Sequence, residues 1–226
     1  MLLVLPLALG AWKFSILGRL YPDGRLFAPD AHAAVLLPLT ALNVFLILFS
    51  LLLPVAKQRA PLGVYGVIGN HDYPSGYRDW LRFHRSCGIR MLVNEHASLG
   101  DALTMAGVNA PMAERNHEEA PNLPKALAGA PAARPGVLLA HEPVFADTAA
   151  KDKSVSLQLS GHTHGGLFPG LAALIARYNG GYVKDLYRVG SMPLYVSPGT
   201  SLRSGMPVRL FCPAEITLIT LRPCAH

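Results

Sequence analysis

Hydrophobic residues are concentrated at the start of the chain. The stretch from Ala33 to Ala56 has no charged side chain over 24 positions. At about 1.5 Å per residue, a helix of that length reaches roughly 36 Å, more than the ~30 Å hydrocarbon core of a bilayer. The pattern therefore favours a membrane-spanning helix over a buried core helix. A shorter apolar run, Met1 to Trp12, predicts a second helix that would complete a helical hairpin. Basic residues flank the long stretch on both sides, so the charge pattern leaves open which side of the membrane the rest of the chain occupies.

From residue 57 onward the pattern changes to short apolar runs ended by turn residues, which is typical of a mixed α/β domain. We therefore divide the chain into a membrane segment, residues 1–56, and a second domain, residues 57–226. An amphipathic helix is predicted after Ser75, which would cap it, and before Gly88. Residues 111–135 contain five prolines and predict a surface connection with at most one short helix. The predicted strands are Gly63–Ile68, Met91–Val93, Leu103–Val108, Val137–Ala140, Val155–Leu159 and Leu194–Ser197, with a closing hairpin of Val208–Phe211 and Glu215–Leu221.

Composition excludes several classes of protein. Hydrophobic residues make up 51% of the chain and charged residues 15%. A typical soluble domain carries roughly 25% charged residues, and a disordered chain has few apolar residues. The composition therefore argues against an ordinary cytosolic protein and against a disordered chain. The net charge of +6 is scattered along the sequence. A nucleic-acid-binding protein would need a denser basic stripe, so we expect no nucleic acid as a partner. The three cysteines have no paired spacing and predict neither a disulfide framework nor a zinc ribbon.

Candidate chemistry lies where three predicted strands end. Asn70 and His71 follow the first strand, His141 follows a later one, and His162 and His164 follow the next. Ligand sites in open α/β sheets gather beyond the carboxyl ends of the strands. Imidazole nitrogen and amide oxygen are suitable ligands for zinc, manganese or iron. The pattern therefore predicts a metal site at this edge of the sheet.

The same residues carry a family resemblance. Gly69-Asn70-His71-Asp72, the strand-terminal His141 and Gly161-His162-Thr163-His164 resemble the later motifs of calcineurin-like metallophosphoesterases, and the apolar start is similar to their membrane-attached bacterial subgroup. The resemblance implies a two-sheet sandwich flanked by helices, preceded here by the membrane helix or hairpin. It also implies two divalent metals (Mn, Fe or Zn), with Asn70, His141 and His162 on one and His164 on the other. By the same resemblance His71 acts beside the substrate phosphate. In a mechanism of this kind, Asp72 would orient the ring of His71.

The chain departs from this family pattern at its beginning. Family members start with a strand that ends in Asp-x-His and a second that ends in Gly-Asp, and these carboxylates hold and bridge the metals. Here the sandwich is predicted to lack those strands, whether by natural deletion or by a sequence artefact. Asp30-Ala31-His32 and Gly100-Asp101 match the missing motifs by letter, but we interpret both as coincidences, the second as a hairpin turn.

Two hypotheses about function follow. The first is a membrane-bound metallophosphoesterase that hydrolyses a phosphomonoester or phosphodiester, from a phosphorylated small molecule to a phospholipid-type substrate, with impaired activity and one retained metal. The second is a non-catalytic, membrane-attached remnant that binds at most one metal.

Overall fold

The structure is a computed structural model, and it describes residues 58–200 and 209–222. The chain divides into two compact units, and the larger one consists of Arg59–Arg203 and Val208–His226. The predicted membrane helix Ala33–Ala56 and the run Met1–Trp12 lie outside the described residues. Within residues 58–200 and 209–222, no helix has the length and apolarity needed to cross a bilayer.

The described residues form a mixed α/β domain, as the sequence predicts. Short helices and 3-10 turns connect and flank the strands. The strands are β1 Val64–Gly66, β2 Ile89–Met91, β3 Glu95–Leu99, β4 Leu103–Gly107, β5 Gly136–Leu139, β6 Val155–Ser160, β7 Asp185–Val189 and β8 Met192–Val196. The α-helices are α1 Tyr77–Ser86, α2 Met112–Arg115, α3 Leu123–Ala126, α4 Ala146–Ala149 and α5 Pro169–Tyr178, and the 3-10 turns are Pro143–Phe145 and His164–Gly166.

The strands of the described region belong to two sheets. In the larger one the strand order is β3-β4-β5-β6-β8-β7, and β1 pairs with β2 in a separate two-stranded sheet. The central strands β4, β5, β6 and β8 run parallel, while β3 and β7 are antiparallel to their neighbours. Parallel strands are covered on both faces and therefore read as nearly continuous apolar runs. The predicted strand Val137–Ala140 is such a run, whereas β6 alternates apolar and polar residues.

The core lies along the parallel strands. Leu138 on β5 and Leu194 and Val196 on β8 are completely buried, and the small helices contribute alanines such as Ala126 and Ala146 to the same cluster. The loops that carry His141 and His162 follow β5 and β6, two strands that contribute buried residues to this core. The core therefore gives these loops a fixed starting position.

Several predicted elements differ from the structure. Gly76, in a left-handed conformation, precedes α1 and no side chain caps the helix, so the predicted Ser75 cap is wrong. Two short helices, α2 and α3, occupy the connection at 111–135, where at most one was expected. Strands β3 and β7 were not predicted, because each is a half-exposed edge strand with polar residues on its solvent side.

The predicted closing hairpin is also wrong for the residues that the structure describes. Residues 209–222 contain no strand. Backbone amides of this segment form hydrogen bonds with loops of the domain: the Leu210 amide donates to the Leu167 carbonyl, and the Glu215 amide donates to the Gly199 carbonyl. The Arg209 guanidinium donates to the carbonyls of Pro198, Gly199 and Cys212. The segment is thus held by loops beside β6 and β8 instead of by a ladder of its own, although its sequence favours β structure.

The Gly100-Asp101 interpretation is confirmed. These residues form the turn between β3 and β4, where Leu99 pairs with Leu103. The Asp101 carboxylate is fully exposed and forms an ion pair with Arg134 at 2.9 Å. It therefore contributes to the surface of a hairpin and not to a metal site.

Candidate metal centre

Strand ends bring the predicted ligands together. The β1 strand leads into Asn70 and His71, β5 leads into His141, and β6 leads into His162. Strands β5 and β6 are parallel neighbours, so their carboxyl ends lie at the same edge of the sheet. The Gly161 amide donates to the His141 carbonyl at 3.1 Å, which extends the pairing of the two strands into the loops. This continuation fixes His141 beside His162.

Three atoms that could donate an electron pair to a metal form a small triangle, which we call the donor triangle. The Nε2 atom of His141 lies 2.9 Å from Oδ1 of Asn70, and Nδ1 of His162 lies 3.2 Å from the same oxygen. The two ring nitrogens are 3.3 Å apart, and the rings meet edge to face. Asn70 therefore joins two histidines that are 71 and 92 residues further along the chain.

The triangle has the dimensions of one face of a metal coordination shell. Metal–ligand distances of about 2.1 Å place neighbouring ligand atoms roughly 3.0–3.4 Å apart in octahedral or tetrahedral geometry. The three observed separations fall close to this range. Two imidazole nitrogens and one amide oxygen also suit a divalent transition metal. The residues present thus fit the metal that the sequence predicts, although the described residues contain no cluster of three or more His, Cys, Asp or Glu side chains arranged for a metal.

The electrostatics keep His141 neutral. Burial, together with positive charge on His162, His164 and His71, lowers the pKa of His141 to about 3. A neutral imidazole retains a lone pair for a metal, whereas an imidazolium has none. The same interactions show that His164 and His71 lie near the triangle.

Close packing positions the His141 ring. A methyl group at Gly69 would lie 2.9 Å from Cε1 and 3.1 Å from Nε2 of His141, which is too close for carbon atoms. Glycine is therefore required at this position for the loop after β1 to lie against the imidazole. Asp72 stabilises the same loop: its carboxylate accepts from the Gly69 amide at 2.9 Å, and its own amide donates back to the Gly69 carbonyl.

The loop after β6 has an unusual backbone. His162 and His164 have positive φ angles of 70° and 50°, which non-glycine residues rarely adopt. Such conformations persist only where the surrounding structure enforces them, and they cluster at functional sites. Gly165 follows with a φ of 65° and packs against Cys212, where a methyl group would lie 2.0 Å from the sulfur. The C-terminal segment thus contributes to the shape of the histidine loop.

The remaining predicted residues lie around the triangle. His71 is exposed and lines a cleft together with Asn70 and His162. His164 begins the 3-10 turn His164–Gly166. The described contacts of Asp72 connect it to Gly69, and the predicted interaction of Asp72 with the His71 ring stays a prediction.

Sequence reasoning missed one wall of the cleft. The cleft has a volume of about 260 Å³, and helix α5 forms the wall beside the histidines. No helix was predicted at Pro169–Tyr178, yet a signal was present. Proline at the first helical position and apolar residues spaced three and four apart are typical of an amphipathic helix. The helical residues that line the cleft are Leu171, Leu174, Ile175 and Tyr178, followed by Asn179.

The fold and site define a mixed α/β domain with metal-type ligands at the ends of parallel strands, and comparisons with known proteins agree with that class. The chain is 34% identical over 176 residues to an uncharacterized metallophosphoesterase of Helicobacter pylori, which covers 77% of this chain and 46% of that protein. It is 35% identical over 181 residues to a zebrafish (Danio rerio) transmembrane protein with metallophosphoesterase domain, covering 75% of this chain and 41% of that protein. An uncharacterized metallophosphoesterase of Aquifex aeolicus is 32% identical over 173 residues, covering 74% and 64%.

These likenesses support the metallophosphoesterase family for this chain. The mixed α/β domain, with its multi-stranded sheet flanked by helices, fits that fold. The chain spans about half the length of the Helicobacter relative. No family model matches the chain, and no solved structure matches it.

Proposed function

We propose that this chain is a metal-dependent phosphoesterase that hydrolyses a phosphomonoester or phosphodiester. The observation that carries the proposal is the triangle of Asn70 Oδ1, His141 Nε2 and His162 Nδ1, with edges of 2.9, 3.2 and 3.3 Å. Relatives named metallophosphoesterases support the same reaction. The triangle opens into the cleft through Asn70 and His162, so a bound substrate would reach it directly.

The three residues of the triangle would act as the ligands of one metal. Asn70, His141 and His162 would hold one divalent metal, Mn, Fe or Zn, and His164 would contribute to a weaker second site. A bound metal of this kind polarises phosphoryl oxygen and supplies an activated water. The neutral state of His141 leaves its nitrogen available as a ligand across the physiological pH range.

His71 serves the substrate and not the metal in this proposal. It is exposed on the cleft and adjoins the ligand Asn70 in sequence. From that position its ring donates a proton to the leaving oxygen or a hydrogen bond to the phosphoryl group. Asp72 fixes the loop that carries His71 through its bond to the Gly69 amide, and we propose that it also orients the His71 ring.

We further propose that the protein is attached to the cell membrane through residues 1–56. The uncharged stretch Ala33–Ala56 supports this location. Two vertebrate relatives, from Danio rerio and Bos taurus, are named transmembrane proteins.

Metal titration and hydrolysis of the full chain test the phosphoesterase proposal together. We expect nearer one equivalent of tightly bound Mn²⁺ than two, measured by calorimetry. His162→Ala should greatly weaken that affinity, because two ligands remain of three. His117→Asn is the matched control, since His117 is exposed and its positive φ of 58° suits asparagine.

The hydrolysis arm uses a simple aryl phosphodiester with added Mn²⁺. We expect a slow rate, lowered about 10²–10⁴-fold by His71→Ala, the usual contribution of a general acid. The metal content of His71→Ala should equal that of the wild type. A rate unaffected by His71→Ala and by His162→Ala would refute the enzyme hypothesis and favour the non-catalytic, metal-binding remnant.

A further inference from the structure

The cleft beside the metal-type ligands has two chemically different walls. One wall is polar and consists of Asn70, His71, His162 and Thr163. The other is the side of helix α5, which presents Leu171, Leu174, Ile175 and Tyr178 at helical spacing. A molecule that places a phosphoryl group on the polar wall therefore has its remaining atoms close to an apolar surface.

Helix α5 leaves its apolar side chains unburied. None of its ten residues is buried, although most of them are apolar. Leu174 is 50% exposed and Tyr178 75% exposed. A helix of a folded domain normally buries its apolar stripe against the core, and an exposed stripe that borders a cleft marks a binding surface.

A contact near the N-terminus of helix α5 fixes the position of this wall, and local hydrogen bonds close the C-terminal end of the helix. Its N-terminal part packs against the histidine loop, since a methyl group at Gly166 would lie 2.6 Å from the Cβ atom of Ala172. Beyond its C-terminus Asn179 is 5% exposed, and its side-chain amide donates to the Ile175 carbonyl at 2.9 Å. The Gly181 amide donates to the Ala176 carbonyl. The apolar stripe is thus held against the same loop that carries His162.

We propose that helix α5 binds the organic part of the substrate, and that this part is an aliphatic chain, as in a phosphoester of a lipid-type alcohol. The inference rests on the proposed function and narrows its substrate class. Leu171, Leu174 and Ile175 offer no hydrogen-bond partner for a sugar or nucleoside. Tyr178 and Asn179 carry the polar groups on this side of the cleft, and the Asn179 side-chain nitrogen already donates to the Ile175 carbonyl. Hydrolysis breaks the bond between phosphorus and the leaving oxygen. The oxygen of water joins phosphorus, and a proton passes to the leaving alcohol, which stays on the apolar wall.

Non-hydrolysable phosphonates test the inference by binding alone. The full chain in lipid nanodiscs is titrated calorimetrically with methylphosphonate and with hexylphosphonate, with and without Mn²⁺. Burial of one methylene strengthens binding by at most about fourfold. Because the wall is half open to solvent, we expect hexylphosphonate to bind at least about tenfold more tightly than methylphosphonate.

Substitutions on the helix locate the effect. Leu174→Gln keeps a good helix former and removes the apolar surface, so it should reduce the hexyl-to-methyl ratio to about threefold or less. Leu174→Met should retain the ratio. Leu186→Gln is the matched control, because Leu186 is 68% exposed on the edge strand β7 and does not line the cleft. Methylphosphonate affinity and bound metal should be the same in all of these variants.

The outcomes separate this inference from the proposed function. Equal affinity for the two phosphonates, in a chain that still hydrolyses an aryl phosphodiester, would overturn the inference alone. A Leu186→Gln effect as large as that of Leu174→Gln would also overturn it, since binding would then reflect general adsorption. A third outcome is that the unmodified chain prefers hexylphosphonate, that Leu174→Gln loses this preference, and that the unmodified chain hydrolyses no phosphodiester. This outcome would confirm the apolar site and overturn the phosphoesterase proposal.

Discussion

At the scale of single residues, the candidate metal centre depends on the absence of a side chain at Gly69 as much as on the candidate ligands themselves. Gly69 lies against the His141 ring so closely that even a methyl group would contact Cε1 at 2.9 Å. The ring in turn lies 2.9 Å from Asn70 and 3.3 Å from His162. A small displacement of His141 would therefore enlarge the triangle of donors.

Substitution of Gly69 tests this dependence. We expect Gly69→Ala to weaken Mn²⁺ binding about 10–100-fold, as loss of a positioning interaction does at other metal sites. Calorimetric titration of the full chain measures the effect. Gly161→Ala is the control within the neighbouring motif, because a methyl group there meets no atom within 4 Å. Equal affinities for the two variants would contradict the proposed role of Gly69.

At the scale of elements, one buried asparagine joins three parts of the chain. The Asn94 side-chain oxygen accepts from the amides of Asn109 and Asn122, at 3.1 and 3.0 Å. Its nitrogen donates to the Ala120 carbonyl at 2.8 Å. These bonds connect the start of β3, the residues after β4 and the start of α3. Asn94 also has a positive φ of 50°, which asparagine tolerates better than most residues.

Removal of this side chain should loosen the connections between the elements. Asn94→Ala leaves buried amides unpaired, and we expect a loss of about 2–4 kcal/mol in the free energy of unfolding. Hydrogen exchange at Asn109 and Asn122 should accelerate, as observed by mass spectrometry. Asn94→Asp retains the acceptor and should protect these amides more than alanine does. Unchanged exchange in Asn94→Ala would show that other contacts hold the loops.

The parallel strands make a second prediction at this scale. Leu138 on β5 is completely buried, and β5 carries His141 shortly after its end. Leu138→Ala should lower the free energy of unfolding by about 2–5 kcal/mol through lost burial and a cavity. Denaturant unfolding measures this loss. Leu186→Ala, on the exposed edge strand β7, should change stability by no more than about 0.5 kcal/mol. Similar losses in the free energy of unfolding for both variants would show that Leu138 does not contribute more to stability than the exposed Leu186.

At the scale of the whole molecule, the proposed membrane attachment and the proposed chemistry belong to different parts of the chain. The uncharged stretch Ala33–Ala56 lies outside the described residues, and the donor triangle lies within them. We expect the full chain to remain in the membrane fraction after alkaline extraction. Leu46→Arg combined with Leu48→Arg should release a large share of it, because each arginine costs about 3 kcal/mol at the centre of a membrane helix. Complete extraction of the unmodified chain would refute the spanning helix.

The sequence by itself determined the parts whose signals are local. Apolar residues grouped between turn residues predicted the central strands, since strands that line the core bury most of their side chains. The Asn and His residues that follow those strands were recognisable as candidate ligands, because each comes shortly after a strand in the sequence. Edge strands β3 and β7 were missed for the converse reason: their exposed face admits polar residues.

Tertiary structure alone decided how distant residues meet. It brought Asn70 within 3.2 Å of His162, 92 residues away, and placed Gly69 against the His141 ring. It held residues 209–222 through loop carbonyls, although their sequence favours a hairpin. It also set helix α5 beside the histidines with its apolar stripe exposed. A local sequence pattern indicates which face of a helix or strand is apolar. What that face packs against, whether core, loop or substrate, depends on contacts between segments that lie far apart in the chain.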